Sequence, residues 1–278
     1  MTPAEIAAEA LRIDRAQLPA KLESVGRLPG GLSNETWLVR LAGEAVVVRI
    51  NNTNDAVMRI DRRSEARVLV EVAAAGIGAE VVVNCPERHF LVTRYRPGKL
   101  WTFEDARRPD NVGRMARLLR RLHALPLPSG VRRMDYAATV RGYWASLEDG
   151  ARREAVGGDG GFERALQLAE TLAGDAQVCL CHNDLYHLNV VDSADRALCL
   201  LDWEYAGLGD PYFDLAAVCC YHSYDEPLQR QLLREYAQDL ADGGSGDRSH
   251  ARLQAMGELF DYIGILWLEV RAAANRSS

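Results

Sequence analysis

Four oxygen-bearing side chains follow one another closely in the second half of the sequence. Asp184 lies in the stretch HNDLYHLN, Asn189 comes five residues later, and the apolar run LCLL precedes Asp202 and Glu204. An aspartate in a loop can accept a hydroxyl proton, and amide or carboxylate oxygens are ligands that Mg²⁺ prefers. Because phosphoryl transfer mainly requires an aligned hydroxyl and neutralised phosphate charge, this set predicts a magnesium-dependent phosphotransferase.

The elements around these residues must bring them together. The run Leu198–Leu201 predicts a short strand that is buried on both faces and is followed by Asp202. Taken singly, His182 is typical of a structural histidine, Asn189 of a loop cap and Glu204 of a surface acid. Their order and separation favour a catalytic loop and a metal-binding strand end.

The first third of the chain is rich in strand patterns. Periodicity and turn signals predict, in order, strands at 24–28, 35–41 and 44–50, a helix at 61–75, and strands at 80–83 and 89–95. Arg96-Pro97-Gly98 then breaks the pattern and is the candidate hinge. We therefore predict an N-terminal lobe at 1–95 and a C-terminal lobe at 96–278.

Beyond the hinge the chain is mainly helical. Apolar spacing predicts helices at 111–125, 162–173, 214–221, 227–241 and 251–274. Between the first two of these, Gly157–Gly161 has four glycines around one aspartate and predicts a flexible loop.

A glycine pair lies between the first two predicted strands. Gly30 and Gly31 let backbone amides approach an anion, while Ser33 and Asn34 add hydrogen-bond donors. The stretch is therefore a candidate loop over nucleotide phosphates, although Gly-Gly in a hairpin is more often a simple turn.

Arg49 interrupts the otherwise apolar strand VVVRI. A buried cation needs an anionic partner, and Glu65 in the next helix is the predicted one. The pair is either purely structural or orients Arg49 toward the nucleotide.

The pattern H-x-D-x-x-x-x-N with a following metal aspartate resembles the protein-kinase-like fold. More narrowly, HNDLYHLN with LLDWEYAGLGDPYFDLA is similar to the choline/ethanolamine kinase and thiamine kinase group of the aminoglycoside phosphotransferase superfamily. This resemblance implies an α+β fold with a small β-rich N-terminal lobe and a larger, mainly helical C-terminal lobe. It also implies ATP as the phosphate donor and Mg²⁺ as the cofactor, without separating ATP from GTP.

The same resemblance implies roles for the residues of the catalytic segment. Asp184 would be the catalytic base, Asn189 and Asp202 the magnesium ligands, and Glu204 a second acid near the metal and the substrate. Asp214 opens the next helix and would cap it or brace the catalytic loop.

For the nucleotide, the resemblance extends to the turn from Gly30 to Asn34. Arg49 would hold the α- and β-phosphates, with Glu65 orienting it. The backbone from Thr93 to Tyr95 would form the remaining nucleotide contact.

The acceptor is open at this stage. Choline and thiamine share a cationic nitrogen and a primary alcohol, and aromatic faces with carboxylates bind such cations. Trp267, in the run GILWLE, is the candidate for an aromatic cage, although an aromatic stripe on a helix is more often core. An antibiotic-modifying phosphotransferase and a non-catalytic kinase-like binding protein stay as alternatives.

Composition narrows the partners. A net charge of −6 argues against nucleic-acid binding, which draws on clustered Lys and Arg. The only lysines, Lys21 and Lys99, fit neither a P-loop nor a Schiff-base site. The six cysteines form no C-x-x-C pair and are expected to be reduced core residues. No signal peptide or membrane span is evident, so we expect a cytoplasmic protein, monomeric or homodimeric, that acts on a small molecule.

Overall fold

The N-terminal part of the computed structural model is built on a five-stranded antiparallel sheet. The structure describes residues 1–28, 34–52, 54–147, 150–174, 177–237 and 247–274. The strand order in the sheet is β1-β2-β3-β5-β4. The five strands are β1 (Leu22–Arg27), β2 (Glu35–Leu41), β3 (Glu44–Ile50), β4 (Val81–Cys85) and β5 (Phe90–Arg94). Their antiparallel registers join them into one surface.

Three helices accompany this sheet: α1 (Pro3–Ala10), α2 (Leu18–Lys21) and α3 (Arg62–Ala74). Thr2 and Glu5 form a capping box that starts α1. The buried face of α1 packs with Val39, Val46 and other strand residues into a small core. In contrast, α3 contributes its buried apolar face to the core of the C-terminal part.

The C-terminal part is mainly helical. Its helices are α4 (Phe103–Arg107), α5 (Pro109–His123), α6 (Tyr136–Ser146), α7 (Gly150–Gly157), α8 (Gly161–Ala173), α9 (Pro211–Tyr221), α10 (Glu226–Ala237) and α11 (Asp247–Ala274). In α9, eight consecutive or near-consecutive residues are buried, so this helix lies at the centre of the core.

Short strands in this part position two loops. They are β6 (Lys99–Leu100), β7 (Cys179–Cys181), β8 (Val190–Asp192), β9 (Leu198–Leu200) and β10 (Gly207–Gly209). Strand β7 pairs with β10, and β8 lies between β6 and β9. The loop from β7 to β8 carries HNDLYHLN, and the loop from β9 to β10 carries DWEY. Because β7 pairs with β10 and β8 pairs with β9, the two loops are neighbours.

A direct connection joins the end of α3 to β9. The Leu200 amide donates to the Ile77 carbonyl over 2.8 Å, and Gly78 forms a parallel bridge to Leu200. A Cβ at Gly78 would lie 2.7 Å from Val72 Cγ2 and 3.3 Å from Trp203 Nε1. Only glycine leaves room for this close approach.

The predicted order of elements in the first third is confirmed, with β2 and β3 at the predicted bounds. The predicted flexible loop at Gly157–Gly161 is wrong, because these residues are helical from the end of α7 to the start of α8. A Cβ at Gly157 would lie 2.4 Å from the Trp144 ring, and one at Gly161 would lie 3.3 Å from the Tyr262 ring. Two of the glycines therefore permit close packing rather than flexibility.

Three other expectations concern the hinge, the cysteines and membrane spans. Arg96–Gly98 lies between β5 and β6, and the division into lobes there stays a prediction. All six cysteines are free thiols, four of them buried. Among the helices described, none is long and apolar enough to cross a membrane.

Candidate active site

The predicted catalytic loop, HNDLYHLN, is held by hydrogen bonds of Asn189 and His182. The Asn189 side-chain amide donates to the Asp184 carbonyl over 2.9 Å and to its Oδ2 over 3.3 Å. His182 Nε2 lies 2.8 Å from the Leu201 carbonyl, and its Nδ1 lies 3.3 Å from the Asp184 amide. These partners require a neutral ring with the proton on Nε2. Burial lowers the pKa of His182, which agrees with that form.

Asp214 holds the catalytic loop through both of its carboxylate oxygens. Its Oδ1 accepts from the Asn183 amide over 2.7 Å and its Oδ2 from the His182 amide over 2.9 Å. His123 Nε2 lies 3.0 Å from the same Oδ2. Asp214 therefore braces the catalytic loop as predicted, while the N-cap of α9 is Asp210, whose side chain accepts from the Tyr212 amide.

Two residues at the site have left-handed backbone conformations. Asn183 has φ of 67° and Asp202 has φ of 60°. Such values are uncommon away from glycine and persist where neighbouring contacts hold them. The Asn183 side-chain amide donates to the Tyr205 carbonyl over 2.9 Å, which links the two loops.

Asp202 contacts Arg49, the residue that is predicted to bind the nucleotide phosphates. Arg49 Nη1 lies 3.2 Å from Asp202 Oδ1, and Arg49 Nη2 lies 2.7 Å from Glu65 Oε1. The predicted ion pair of Arg49 with Glu65 is thus confirmed as a contact. Burial and the neighbouring charges of Glu204 and Asp184 raise the pKa of Asp202, and Arg49 opposes that shift.

The oxygen ligands near Asp202 are suited to a hard divalent cation. Because the amide nitrogen of Asn189 donates to Asp184, the amide oxygen is the acceptor left to face a ligand. The carboxylates of Asp184 and Glu204 repel that of Asp202, so a cation beside Asp202 would relieve the repulsion. Oxygen ligands with excess negative charge are what Mg²⁺ prefers.

A second arginine, Arg62, organises the rest of the acidic cluster. Its Nη1 donates to Glu65 Oε2 and to Glu204 Oε2, each over 3.0 Å. Its Nη2 donates to Asn34 Oδ1 over 3.2 Å and to Asp55 over 2.8 Å. The Asn34 amide nitrogen donates to Glu204 Oε2 over 2.7 Å.

Glu204 is therefore buried in a hydrogen-bonded junction between the sheet, α3 and the DWEY loop. The Oε2 atom is engaged by Asn34 and Arg62, so in this structure Glu204 joins these elements. Its role as a second acid near metal and substrate stays a prediction.

Two of the other residues predicted to contact the nucleotide, Thr93 and Tyr95, are hydrogen-bonded neighbours of strand β3. Thr93, in β5, pairs with Val47 and Val81. The Tyr95 amide donates to the Ala45 carbonyl over 3.0 Å. Gly30, Gly31 and Ser33 lie outside the described residues, so their predicted contact with phosphates stays a prediction.

Trp267 reaches the site through Tyr205. Its indole Nε1 donates to the Tyr205 hydroxyl over 2.7 Å, and the Arg271 guanidinium lies 5.2 Å from its ring centroid. One cation therefore already lies over this indole. The assignment of Trp267 to the acceptor stays a prediction.

Comparison with known proteins decides the family. A model of the phosphotransferase enzyme family matches residues 24–254. The chain belongs to this family. The sequence resemblance to its kinases is confirmed, and so is the α+β, kinase-like fold.

Individual relatives of this phosphotransferase are similar at low identity. Protein LicA of Haemophilus influenzae is 27% identical over 68% of this chain, and the match spans 56% of that protein's length. A thiamine kinase of Shigella boydii is 31% identical over 74% of this chain and 69% of its own length. The crystal structure of choline kinase LicA from Streptococcus pneumoniae is 21% identical, covering 97% of this chain and 91% of that one, with a TM-score of 0.79.

Nucleotide complexes and antibiotic kinases also appear among the solved relatives. LicA has been solved with AMP, and an aminoglycoside phosphotransferase has been solved with ADP. The TM-scores of three aminoglycoside phosphotransferases lie between 0.57 and 0.63.

Sequence reasoning missed two contacts of the candidate site, one made by Arg62 and one by Tyr221. Arg62 lies three residues before Glu65 and thus on the same helix face, a spacing that could have revealed the contact. Tyr221 ends α9, and its hydroxyl donates to Asp184 Oδ1 over 2.7 Å. Tyr221 and Asp184 are 37 residues apart in sequence, and no local pattern predicts their contact.

Proposed function

We propose that this phosphotransferase moves the γ-phosphoryl group of ATP to the hydroxyl of a small alcohol with a cationic nitrogen, of the choline or ethanolamine type. The observation that carries the proposal is the convergence of Asp184, Asn189 and Asp202 from two loops, with Arg49 reaching Asp202 from the sheet. A non-catalytic binding protein has no need of this complete set.

In the proposed reaction, Asp184 accepts the proton of the acceptor hydroxyl as that oxygen attacks the γ-phosphorus. Burial raises the pKa of Asp184, which makes it a stronger base than an exposed aspartate. Arg49, oriented by Glu65, binds phosphate oxygens of the nucleotide. Asn189 and Asp202 would hold Mg²⁺, which supplies positive charge to the phosphates when bound.

The acceptor class is supported by the relatives and by the aromatic surroundings of the base. A choline kinase shares the fold over 97% of this chain. Beside Asp184, Tyr221 makes edge contacts with Tyr186 at 5.3 Å and with Phe260 at 5.1 Å. Aromatic faces attract cationic nitrogens by about 0.5–2 kcal/mol, depending on desolvation.

Thiamine is the second candidate acceptor, because a thiamine kinase is 31% identical to this chain. Thiamine also combines a cationic nitrogen with a primary alcohol. The two candidate acceptors therefore differ in size rather than in charge.

A turnover screen tests the proposal directly. The purified protein is incubated with Mg-ATP and, in turn, choline, ethanolamine, thiamine, an aminoglycoside and an uncharged isostere of choline. We expect a cationic alcohol to be phosphorylated and the isostere to react poorly. Turnover of the aminoglycoside alone, or equal turnover of the isostere, would exclude the cationic-alcohol acceptor.

The metal assignment has a separate test. Asp202→Ala should remove magnesium-dependent nucleotide binding in calorimetry, because one carboxylate carries much of a magnesium site. Unchanged affinity for Mg-ATP in the variant would refute the role of Asp202.

A further inference from the structure

The candidate base already has a hydroxyl partner within the chain. Asp184 Oδ1 accepts a hydrogen bond of 2.7 Å from the Tyr221 phenol, a short distance typical of a hydroxyl that donates to a carboxylate. The other carboxylate oxygen, Oδ2, is occupied by Asn189. Tyr221 thus donates to the oxygen that Asn189 leaves open.

Tyr221 is held in place on one side and open on the other. It is the last residue of the buried helix α9, and its ring packs edge-on against Tyr186 and Phe260. The residue is nevertheless 36% exposed. A side chain with this combination can rotate away from Asp184 without opening the core.

The phenol keeps its proton at neutral pH. Burial and the adjacent charge of Asp184 both raise the pKa of Tyr221. The group therefore remains a donor, and the carboxylate remains the acceptor.

We propose that the Tyr221 hydroxyl is a placeholder for the acceptor hydroxyl and keeps water from Asp184 until the acceptor arrives. The inference rests on the proposed role of Asp184 as the base. An acceptor hydroxyl must donate to the same carboxylate, so its binding displaces the phenol. Tyr221 is in this sense a positioning residue that acts on specificity for alcohol over water.

The side reaction that the phenol suppresses is hydrolysis of ATP. A water at the position of the phenol would lose a proton to Asp184, its oxygen would bond to the γ-phosphorus, and the bond from that phosphorus to the β,γ-bridging oxygen would break. The products are ADP and phosphate. Water is present at far higher concentration than any metabolite. Excluding it from the base matters most when the nucleotide binds before the acceptor, because water could then reach the base first.

The test compares Tyr221→Phe with Tyr212→Phe. Phenylalanine keeps the ring and its packing but lacks the donor. Tyr212 lies on the same helix, where Arg252 lies over its ring and no hydroxyl contact to Asp184 exists among the described residues. Thermal unfolding of both variants checks that α9 is intact.

Without acceptor, Tyr221→Phe should hydrolyse Mg-ATP about 10- to 100-fold faster than the wild type, the range expected for losing one hydrogen bond to a charged group. Its KM for the acceptor should fall, since the acceptor no longer competes with the phenol, while kcat changes little. Tyr212→Phe should match the wild type in both measurements. If Tyr221 had a purely structural role, its replacement would neither raise the rate of ATP hydrolysis nor lower the KM for the acceptor.

Two further arms separate the possible failures. In the Asp184→Asn background, Tyr221→Phe should no longer raise hydrolysis, which ties the effect to the base. Unchanged hydrolysis and KM in folded Tyr221→Phe would overturn the placeholder role, as would phosphate found on Tyr221 by mass spectrometry. Failure of every alcohol in the wild-type screen would instead refute the proposed acceptor class and leave the hydrolysis comparison intact.

Discussion

Glu65 and Asp214 are two carboxylates that are almost wholly buried, with exposures of 2% and 0%. Glu65, on α3, faces the guanidinium groups of Arg49 and Arg62. Asp214, on α9, accepts hydrogen bonds from two backbone amides of the catalytic loop and contacts His123. One carboxylate is compensated by charge and the other mainly by hydrogen bonds.

The difference matches what each region must bind. In the proposed function the cluster around Glu65 would meet a polyanionic nucleotide, and its buried arginines would exchange carboxylate partners for phosphates. The loop above Asp214 must keep one aspartate in place, and backbone amides fix geometry better than long side chains do. In that function charge would surround the phosphates, while directional hydrogen bonds hold the candidate base.

The largest expected effect lies on the hydrogen-bonded side. Asp184→Asn keeps the shape and the Asn189 contact but removes the proton acceptor, so turnover should fall by about 10²–10⁴. Affinity for Mg-ATP, measured by calorimetry, should stay near the wild-type value. Near-wild-type turnover would remove Asp184 from the mechanism.

Removing Arg62 should break the charged side. Arg62→Ala leaves Glu65 and Glu204 with fewer cationic partners, and losing one member of a buried ion cluster destabilises a protein by about 3–5 kcal/mol. Urea denaturation measures the change in unfolding free energy. The matched control is Arg63→Ala, the exposed neighbour on the same helix, which should change stability by less than about 0.5 kcal/mol. Equal effects of the two variants would mean that Arg62 does not organise the cluster.

Acid should act on the hydrogen-bonded side through His182. Burial lowers the pKa of this residue below its ordinary value of 6.5, so the folded state favours the neutral ring. Its stabilising contribution is complete above pH 6.5 and is lost as the pH falls through the lower folded pKa. The stability difference between wild type and His182→Gln should therefore shrink as urea denaturation is repeated from about pH 7.5 down to about pH 5.

His222 also contributes to the loss of stability in acid and must be separated from His182. Burial lowers its pKa to about 4, so it also destabilises the folded protein in acid, but equally in both proteins. The matched control variant is His89→Asn, a change at an exposed histidine. A constant difference between wild type and His182→Gln over this range would contradict the neutral-ring assignment.

The smallest effect is expected at Trp267, outside both regions. Trp267→Ala should weaken acceptor binding by about 0.5–2 kcal/mol, the range for a cation over an indole, with little change in ATP affinity. Because Arg271 already lies over this ring, we expect a value at the lower end of that range. Loss of ATP affinity would indicate that the indole supports the nucleotide site instead.

Sequence reasoning was most successful where neighbours in sequence are neighbours in space. The five strands, α3 and the Arg49–Glu65 contact follow from alternation, helical spacing and the need to pair a buried cation. The junction of Arg62 with Glu204 joins residues 142 positions apart, and the phenol of Tyr221 meets Asp184 only because α9 ends beside the catalytic loop. Such contacts depend on tertiary packing, which local periodicity does not encode.

The close contact at Gly78 bears on how this enzyme is controlled. Protein kinases control a cation–glutamate pair by repositioning the helix that carries the glutamate. Here an outward movement of α3 would expose Val68 and Val72 to water and break the hydrogen bond from the Leu200 amide to the Ile77 carbonyl. We therefore expect an enzyme that is competent as soon as it folds and needs no activation event.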